Sequence, residues 1–300
     1  LGHIALDGTK IEANASKHRA LSWAHANKIE AQLRGEVQTL LALAENSDRA
    51  ALPDGMDVPS EIARREDRLN AMAQAKAKIE QRAGERHQRE QQEYESKTAK
   101  RQSQREAGKK PRGKDPEPPQ AGPKDSDQVN LTDEQSRIMR VSGGGFEQSY
   151  NAQAGVDTAT MMVITRHVSQ ACNDKREVVP TLQQIAALPA ALGEVQSLIT
   201  DNGFFSQANV IACRDAGIQP LLALKRESHH TCVLERFAPD GPAPVTADPV
   251  VQMAHRLSTQ AGRALYGLRK QTVEPVFGII KRVMGWRQMS MRGRAKAQGE

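Results

Sequence analysis

Two aspartates occupy positions in the sequence at which an acidic side chain needs an explanation. Asp7 lies inside the strand-like segment HIALDGTKIEA, and Asp201 directly follows the short apolar run VQSLIT. A carboxylate inside an apolar strand is costly to bury without a partner, so the sequence raises the question of which cation it faces. Each residue could instead be an exposed aspartate at a strand end, and each one alone is weak support for a site.

A third carboxylate, Glu274, is the only acid in a basic, amphipathic helical stretch, YGLRKQTVEPVFGIIK. Lys270 lies four residues before it and Lys281 seven residues after it. A carboxylate among cations is expected of a metal ligand beside a groove that binds polyphosphate. A salt bridge between Glu274 and Lys270 within the helix is the simpler alternative.

Other polar and glycine-rich positions have plainer interpretations. Asp157 and Asp174 lie near the ends of predicted strands, where a turn and a helix N-cap explain them. The glycines Gly143–Gly145 lack the preceding strand and the Lys-Ser/Thr pair of a phosphate-binding loop. We therefore interpret these glycines as a hinge leading into a strand.

The cysteines indicate neither a disulfide framework nor a thiolate zinc site. Cys172, Cys213 and Cys232 are odd in number, widely spaced and without a Cys-x-x-Cys pair. His229 and His230 precede Cys232, but no fourth ligand lies at a spacing suited to zinc, so we predict a loop there. A reducing, intracellular setting fits this cysteine content best.

The elements that must position the three carboxylates lie in the two ends of the chain. Five predicted strands and three predicted helices there give an α/β protein with a mixed five-stranded sheet flanked by helices. The strands are residues 3–13, two within 149–168, 195–200 and 220–224, and the helices are 175–187, 206–216 and 263–284.

A long segment without strand character separates the first strand from the others. Residues 22–107 are rich in Ala, Gln, Glu, Lys and Arg, and their sparse apolar residues recur at helical spacing. A break at 52–55 divides the segment, so we predict an antiparallel helical hairpin or coiled coil. Residues 108–145 open with a run of Pro, Gly and charge, and we predict a linker that contributes no core.

The positive charge is clustered in two places. The net charge is +6; residues 76–114 hold 13 basic and 6 acidic residues, and residues 262–296 hold 9 basic residues and only one acid, Glu274. Clustered Lys and Arg favour association with nucleic acid, although the first cluster could also be the solvated face of a coiled coil. Because no run of about 18 apolar residues occurs, we expect no membrane-spanning helix.

The motifs around the three carboxylates resemble those of the DDE transposases of bacterial insertion sequences. The resemblance is to the IS4/IS5-like superfamily and most closely to its IS1182-like group. It rests on LDGTKIEANAS around Asp7, SLITDNGFFS around Asp201 and YGLRKQTVEPVFGIIKRVMG around Glu274, and it continues through GFEQSYNAQAGVD and ACNDKREVVPTL. The last block looks like the family's Tyr, Arg, Glu, Lys signature, with Arg269 or Lys270 at the Arg position.

The resemblance implies a ribonuclease H-like fold with Asp7, Asp201 and Glu274 as catalytic residues. These carboxylates would bind two Mg²⁺ ions, which Mn²⁺ could replace, for metal-dependent DNA cleavage and strand transfer. The residues implied in holding the DNA backbone are Tyr266, Arg269, Lys270, Lys281 and Arg282. The implied partners are transposon ends and target DNA, bound by a homodimer in the bacterial cytoplasm at the nucleoid, with no membrane.

The resemblance also divides the chain into parts. Residues 1–21 would supply the first strand of the catalytic core, 22–107 the helical hairpin insertion, 108–145 the linker and 146–300 the rest of the core. The chain opens without an initiator Met and stops within a helix-like pattern. We therefore expect a fragment of a longer protein, whose missing N-terminal part would read the transposon ends.

Two other functions remain open from the sequence. A ribonuclease H-like nuclease would hydrolyse nucleic acid without joining strands, and strand-transfer products would distinguish the two. A decayed, non-catalytic DNA-binding or oligomerisation protein is the alternative from another class. The presence of all three acids disfavours decay at the site.

Overall fold

The computed structural model describes residues 1–45, 55–141, 143–224 and 239–300. Within these ranges the chain forms short and long strands, α-helices and a few single-turn 3₁₀ segments. The elements are β1 (His3–Glu12), β2 (Ala20–Ser22), α1 (Trp23–Glu45), α2 (Val58–Glu106), β3 (Gln128–Asn130), β4 (Arg137–Arg140), β5 (Phe146–Asp157), β6 (Val163–Ser169), α3 (Val178–Ala186), β7 (Ser197–Thr200), α4 (Gln207–Asp215), β8 (Gln219–Leu222), α5 (Pro249–Ser258), α6 (Gln260–Gly278) and α7 (Arg294–Gly299).

The chain divides into two compact units. Leu1–Lys17 and Thr132–Glu300 form the first, which we call the sheet unit, and His18–Leu131 form the second, the helical unit. None of the helices in the described ranges combines the length and the apolar character needed to span a bilayer.

The sheet unit is built on a mixed six-stranded sheet. Its order is β4-β5-β1-β7-β8, with β6 paired to β5. Strand β1 is central: it runs antiparallel to β5, with Asp7 opposite Ala154, and parallel to β7, with Leu6 opposite Thr200. Strand β8 extends the parallel half, and β4 and β6 extend the antiparallel half.

Helices cover both faces of this sheet because side chains alternate along β1. Ile4 and Leu6 point to one face, where they pack with buried residues of α3, α4 and α5. Ala5 points to the other face and packs with Val273 and Val276 of α6. Asp7 follows Ala5 at a spacing of two, so its side chain lies on the face that α6 covers.

The helical unit is an antiparallel pair of α1 and α2, as the helical spacing predicts. Glu30 of α1 pairs with Lys76 at 2.7 Å, and further along α1 Glu36 pairs with Arg65 at 2.7 Å, earlier in α2. The partner numbers fall as the α1 numbers rise, which is the mark of antiparallel packing. Buried Leu33 of α1 lies in one apolar cluster with α2, and most of the predicted break at 52–55 lies outside the described residues.

The structure corrects the predicted strand count and the extent of the linker. The sheet has six strands rather than five, and the additional strand is β4, within the predicted linker 108–145. Val129 on β3 and Met139 on β4 are both buried. These two short strands were not predicted, because three or four residues give too little periodicity to recognise and the segment opens with a Pro-rich run.

Two other sequence predictions have clear outcomes. Gly144 donates its N–H to the carbonyl of Val141 at 3.3 Å, so the glycines form the turn between β4 and β5. The helix predicted over 263–284 is α6 followed by a π-helical turn, Ile279–Val283. His229, His230 and Cys232 lie outside the described residues.

Candidate active site

The parallel pairing of β1 and β7 brings two of the predicted site residues next to each other. Leu6 pairs with Thr200, and the next residues on the two strands are Asp7 and Asp201. Asp201 begins a 3₁₀ turn, and its Oδ1 accepts a hydrogen bond from the N–H of Gly203 at 2.8 Å. Asp201 lies at the carboxyl end of β7, the kind of position at which open α/β sheets bind ligands, and Asp7 lies beside it within β1.

Asp7 is a largely buried carboxylate among like charges. Burial raises the pKa of Asp7 to about 6, and the charges of Asp201 and Asp174 act in the same direction. The N–H of Gly8, which donates to Asp7 Oδ1 at 2.8 Å, and the Arg269 guanidinium partly offset this rise. Ionisation of Asp7 therefore costs free energy, and a nearby cation would reduce this cost.

Glu274 comes close to Asp7 because α6 packs across the sheet face to which the Asp7 side chain belongs. Val273, fully buried, fixes the helix against Ala5 and the neighbouring strand β5. Glu274 is the next residue along α6, and its side chain is 51% exposed. The next position is Pro275, which has no N–H for the helix ladder, and a π-helical turn follows four residues later.

A single arginine joins two of the three carboxylates. Arg269 Nη1 lies 3.4 Å from Asp7 Oδ2, and Arg269 Nη2 lies 3.2 Å from Glu274 Oε1. The Arg269 side chain is 11% exposed, whereas Lys270 is exposed. The structure thus places Arg269 at the site. In the described structure the ion pair of Glu274 is with Arg269, so the simpler Glu274–Lys270 alternative is wrong.

The charge of Asp174 acts on Asp7, and the prediction that Asp174 caps a helix is wrong. Helix α3 begins at Val178, its N-cap residue is Glu177, and that position has no side-chain cap. The Asp174 carboxylate instead accepts hydrogen bonds from Asn151 at 2.7 Å and Gln153 at 2.8 Å. The sequence contains a signal against capping. In ACNDKREVVPTL, Asp174 lies four residues before the first helical residue, whereas an N-cap residue directly precedes it.

The plainer interpretation of Asp157 is confirmed. Its Oδ2 accepts hydrogen bonds from the N–H and the hydroxyl of Thr160, at 2.9 and 2.8 Å, in the turn between β5 and β6. Asp157 therefore has a structural role.

The other predicted DNA-binding residues lie on α6 and the π-helical turn. Tyr266 is half-buried, and Arg282 is exposed. Lys281 Nζ donates to the carbonyl of Lys10 on β1 at 3.0 Å, and burial lowers the pKa of Lys281, with Arg287 and Lys10 acting in the same direction. These cations and the three carboxylates all belong to the sheet unit.

The donor atoms at the site fit a hard divalent cation in part. Aspartate oxygens are the ligands that Mg²⁺ prefers, and Asp7 within β1 lies beside Asp201 at the end of β7. The Arg269 guanidinium lies between Asp7 and Glu274, so Glu274 can join the two aspartates only if Arg269 moves. As the described residues stand, no three acidic, His or Cys side chains surround a common metal position.

Comparison with known proteins places this chain in a family. Residues 123–300 match the family described as the transposase DDE domain. The matched range contains Asp174, Asp201 and Glu274; Asp7 lies outside it on β1, which pairs with two strands of that range. No curated protein and no solved structure matches the chain. Because the matched range is more than half of the chain, the protein belongs to the transposase DDE domain family.

Proposed function

We propose that this chain is a DNA transposase of a bacterial insertion sequence, of the IS4/IS5-like superfamily and its IS1182-like group. It would cleave DNA strands and transfer them to target DNA in a metal-dependent reaction. Asp7, Asp201 and Glu274 would be its catalytic residues, on a ribonuclease H-like fold. The observation that carries the proposal is the register of β1 and β7, which sets Asp7 beside Asp201 on the face that α6 covers.

The three carboxylates would hold two Mg²⁺ ions, or Mn²⁺ in their place. When bound, such ions activate an attacking oxygen and stabilise the leaving oxygen at phosphorus. Asp7 is suited to the central position because it pairs with Arg269 at 3.4 Å and the Asp201 charge acts on it. The raised pKa of Asp7 supports this role, because an adjacent cation favours the ionised carboxylate.

Arg269 would exchange a carboxylate partner for a phosphate when DNA binds. A guanidinium forms paired hydrogen bonds with phosphate oxygens as readily as with carboxylates. Movement of Arg269 toward the DNA backbone would free Glu274 to join Asp7 and Asp201. Arg269 would therefore couple DNA binding to completion of the site.

The basic residues on α6 and the turn after it would position the DNA. Lys270 and Arg282 are exposed and free to approach phosphates, and Tyr266 and Lys281 lie along the same stretch. The basic surplus of residues 262–296 supports a nucleic-acid partner. We further propose that a homodimer acts on paired transposon ends at the bacterial nucleoid.

A strand-transfer assay tests this proposal against that of a simple nuclease. The chain is incubated in Mg²⁺ with a labelled duplex that carries a free 3′-hydroxyl and with an unlabelled supercoiled plasmid. A transposase joins label to the plasmid, whereas a nuclease nicks the plasmid without joining label.

The variants Asp201→Asn and Asp215→Asn provide the controls. Asp201→Asn keeps the shape of the side chain while removing its charge, and we expect it to abolish labelled products. Asp215 is exposed at the end of α4, and its substitution should leave the products unchanged. Nicking without joining would support the nuclease, and DNA binding with no cleavage would support the non-catalytic alternative.

A further inference from the structure

We propose that the helical unit carries a second nucleic-acid contact, which binds the phosphate backbone of duplex DNA. The contact is residues 97–114, the last turns of α2 and the loop after it, which we call the basic tip. That the nucleic acid is DNA rests on the proposed function, whereas the fit to a polyanion rests on the tip itself. The tip belongs to the helical unit and the three carboxylates to the sheet unit, so each can be tested separately.

The positive charge of the stretch 76–114 is concentrated in the basic tip. The tip contains eight of the 13 basic residues of that stretch, and Glu106 is its only acid. The other five acids lie before residue 97. A solvated coiled-coil face carries both signs of charge in alternation, so that interpretation does not fit the tip. Clustered cations of one sign are typical of a surface that binds nucleic acid.

Helix α2 continues past its partner helix and offers no apolar surface there. Helix α1 begins at Trp23, and the Lys76 ammonium lies 4.9 Å from the centre of the Trp23 ring. Because the pair is antiparallel, the part of α2 after Lys76 extends beyond the start of α1. The apolar residues of the tip are only Ala99, Ala107 and Pro111. The tip therefore suits a charged partner rather than the apolar face of another helix.

The loop after α2 is held against the helix, which fixes the positions of its cations. Arg101 Nη1 donates to Asp115 Oδ1 at 2.6 Å, and Arg105 Nη2 donates to the same oxygen at 2.8 Å. Arg101 Nη2 also donates to the carbonyls of Arg112 and Gly113, at 2.8 and 3.2 Å. These bonds order the loop before a ligand binds, which reduces the entropy that binding costs.

Most cations of the tip are available to phosphate groups. Four are exposed and form no ion pair with any residue in the described part of the chain: Lys100, Lys109, Lys110 and Arg112. Lys97 pairs with Glu93 at 3.5 Å, and Lys114 pairs with Glu117, but all four of these side chains are at least 60% exposed. Exposed ion pairs contribute little free energy, so phosphate oxygens can replace the two glutamates.

The composition of the tip favours a duplex over a single strand. Proteins that bind single strands stack the bases on aromatic side chains, and residues 97–114 contain no aromatic residue. Tyr94 lies just before the tip, but it is half-buried in a hollow that Pro116 and Pro119 also line. Lys and Arg contacts to phosphates do not depend on base sequence. We therefore expect duplex binding with little sequence preference and a strong dependence on salt.

Fluorescence anisotropy of a short labelled DNA duplex of arbitrary sequence, measured over a range of salt concentrations, tests the proposal. The full chain is used in a chelator, so that neither a metal nor cleavage contributes. One variant combines Lys109→Gln, Lys110→Gln and Arg112→Gln, because the backbone carbonyl that Arg101 binds remains. We expect its affinity at about 0.1 M salt to fall at least roughly 10-fold, and its plot of log affinity against log salt to lose about 2–3 units of slope.

A second triple variant is the matched control. It combines Arg64→Gln, Arg68→Gln and Lys78→Gln, three exposed positions earlier in α2, and it changes the net charge equally. We expect it to keep the slope of the unsubstituted chain. Circular dichroism checks that both variants are folded.

Glu106→Gln provides a variant with the opposite expectation. It removes the only acid of the tip, so duplex binding should strengthen severalfold, whereas Glu66→Gln, at an exposed acid earlier in α2, should leave binding unchanged. Equal binding by these two variants would contradict a contact at the tip.

The outcomes separate this proposal from the proposed function. Equal slopes for the two triple variants would overturn the tip contact, as would tighter binding of a labelled single strand than of the duplex. A slope reduced only in the tip variant supports the contact even if the chain joins no DNA strands, and that failure would overturn the proposed function alone. Failure of the unsubstituted chain to bind the duplex would overturn both.

Discussion

In the candidate site, one cationic side chain compensates the charge of two carboxylates. Asp7 is largely buried, and the Arg269 guanidinium, 3.4 Å away, is the cation that the protein itself supplies. Glu274 shares the same guanidinium at 3.2 Å. Without a bound metal, Arg269 therefore stabilises carboxylates that would otherwise repel one another.

The substitution Arg269→Gln tests this compensation. In a chelator we expect the free energy of unfolding to fall by roughly 1–3 kcal/mol, mostly through Asp7, because a charged hydrogen-bond partner of a buried carboxylate is lost. Mn²⁺ should restore more stability to Arg269→Gln than to the unsubstituted chain, since the ion replaces the missing charge.

Thermal unfolding with and without Mn²⁺ measures both effects. Arg282→Gln, at an exposed arginine, is the matched control and should change stability by less than about 0.5 kcal/mol. Equal Mn²⁺ stabilisation of Arg269→Gln and the unsubstituted chain would contradict the compensation.

Two glycines differ in the space around them. Gly8→Ala inserts an atom 2.1 Å from Gln153 Nε2, and we expect the free energy of unfolding to fall by roughly 1–3 kcal/mol. Gly267→Ala meets no atom within 4 Å on α6 and should stabilise the chain by roughly 0.5–1 kcal/mol. Chemical denaturation measures both, and a Gly8→Ala variant as stable as the unsubstituted chain would contradict the close packing at this position.

At the residue scale the sequence identifies the three carboxylates as candidates but not their cationic partner. Arg269 and Lys270 are adjacent, and the choice between them depends on how α6 is rotated about its axis against the sheet. Packing of Val273 and Val276 sets that rotation, and packing cannot be computed from local spacing. The partners of Asp174 could not be predicted for the same reason, because they lie about 20 residues away on β5.

At the scale of elements, helices and strands with a strong apolar periodicity could be predicted from the sequence, and short or irregular elements could not. Helices α1 and α2 and the strands β5 and β6 occur where the apolar spacing indicates them. Strand β4 has four residues, and it exists because β5 offers it a partner edge. Tertiary pairing therefore decides such elements, and local sequence does not.

Helix α6 is the element on which the position of Glu274 depends. Val273→Ala removes two buried methyl groups from its contact with the sheet, and we expect a loss of about 2 kcal/mol and a fall in DNA nicking. Val283→Ala, at a side chain that is 79% exposed, should change stability by less than about 0.5 kcal/mol. Urea denaturation compares the two, and equal effects would show that α6 does not depend on this contact.

At the scale of the molecule, the chain enters the helical unit and leaves it at neighbouring points. Strand β2 pairs with β3, and the N–H of Leu131 donates to the carbonyl of Arg19 at 3.0 Å. The ends of the helical unit are thus held together by backbone hydrogen bonds. This geometry is typical of an insertion that a host fold tolerates.

Replacement of residues 18–131 by a short Gly-Ser linker tests whether the sheet unit holds the site by itself. Because the ends of the helical unit lie together, a short linker can join Lys17 to Thr132. We expect the shortened chain to remain folded and to bind Mn²⁺ with unchanged affinity, as measured by circular dichroism and by titration with Mn²⁺ followed by electron paramagnetic resonance. An unfolded product would mean that the helical unit is part of the same folding unit.

The measurement that tests the central claim most directly is nicking of a supercoiled plasmid in Mg²⁺ by the unsubstituted chain and its single variants. Asp7→Asn, Asp201→Asn and Glu274→Gln should each reduce nicking at least roughly 100-fold, and pairs of these substitutions should be no worse than single ones, because the three act as a unit. Asp215→Asn should nick normally. Full nicking by any one of the three variants, or nicking that persists in a chelator, would contradict a single metal-dependent site built from Asp7, Asp201 and Glu274.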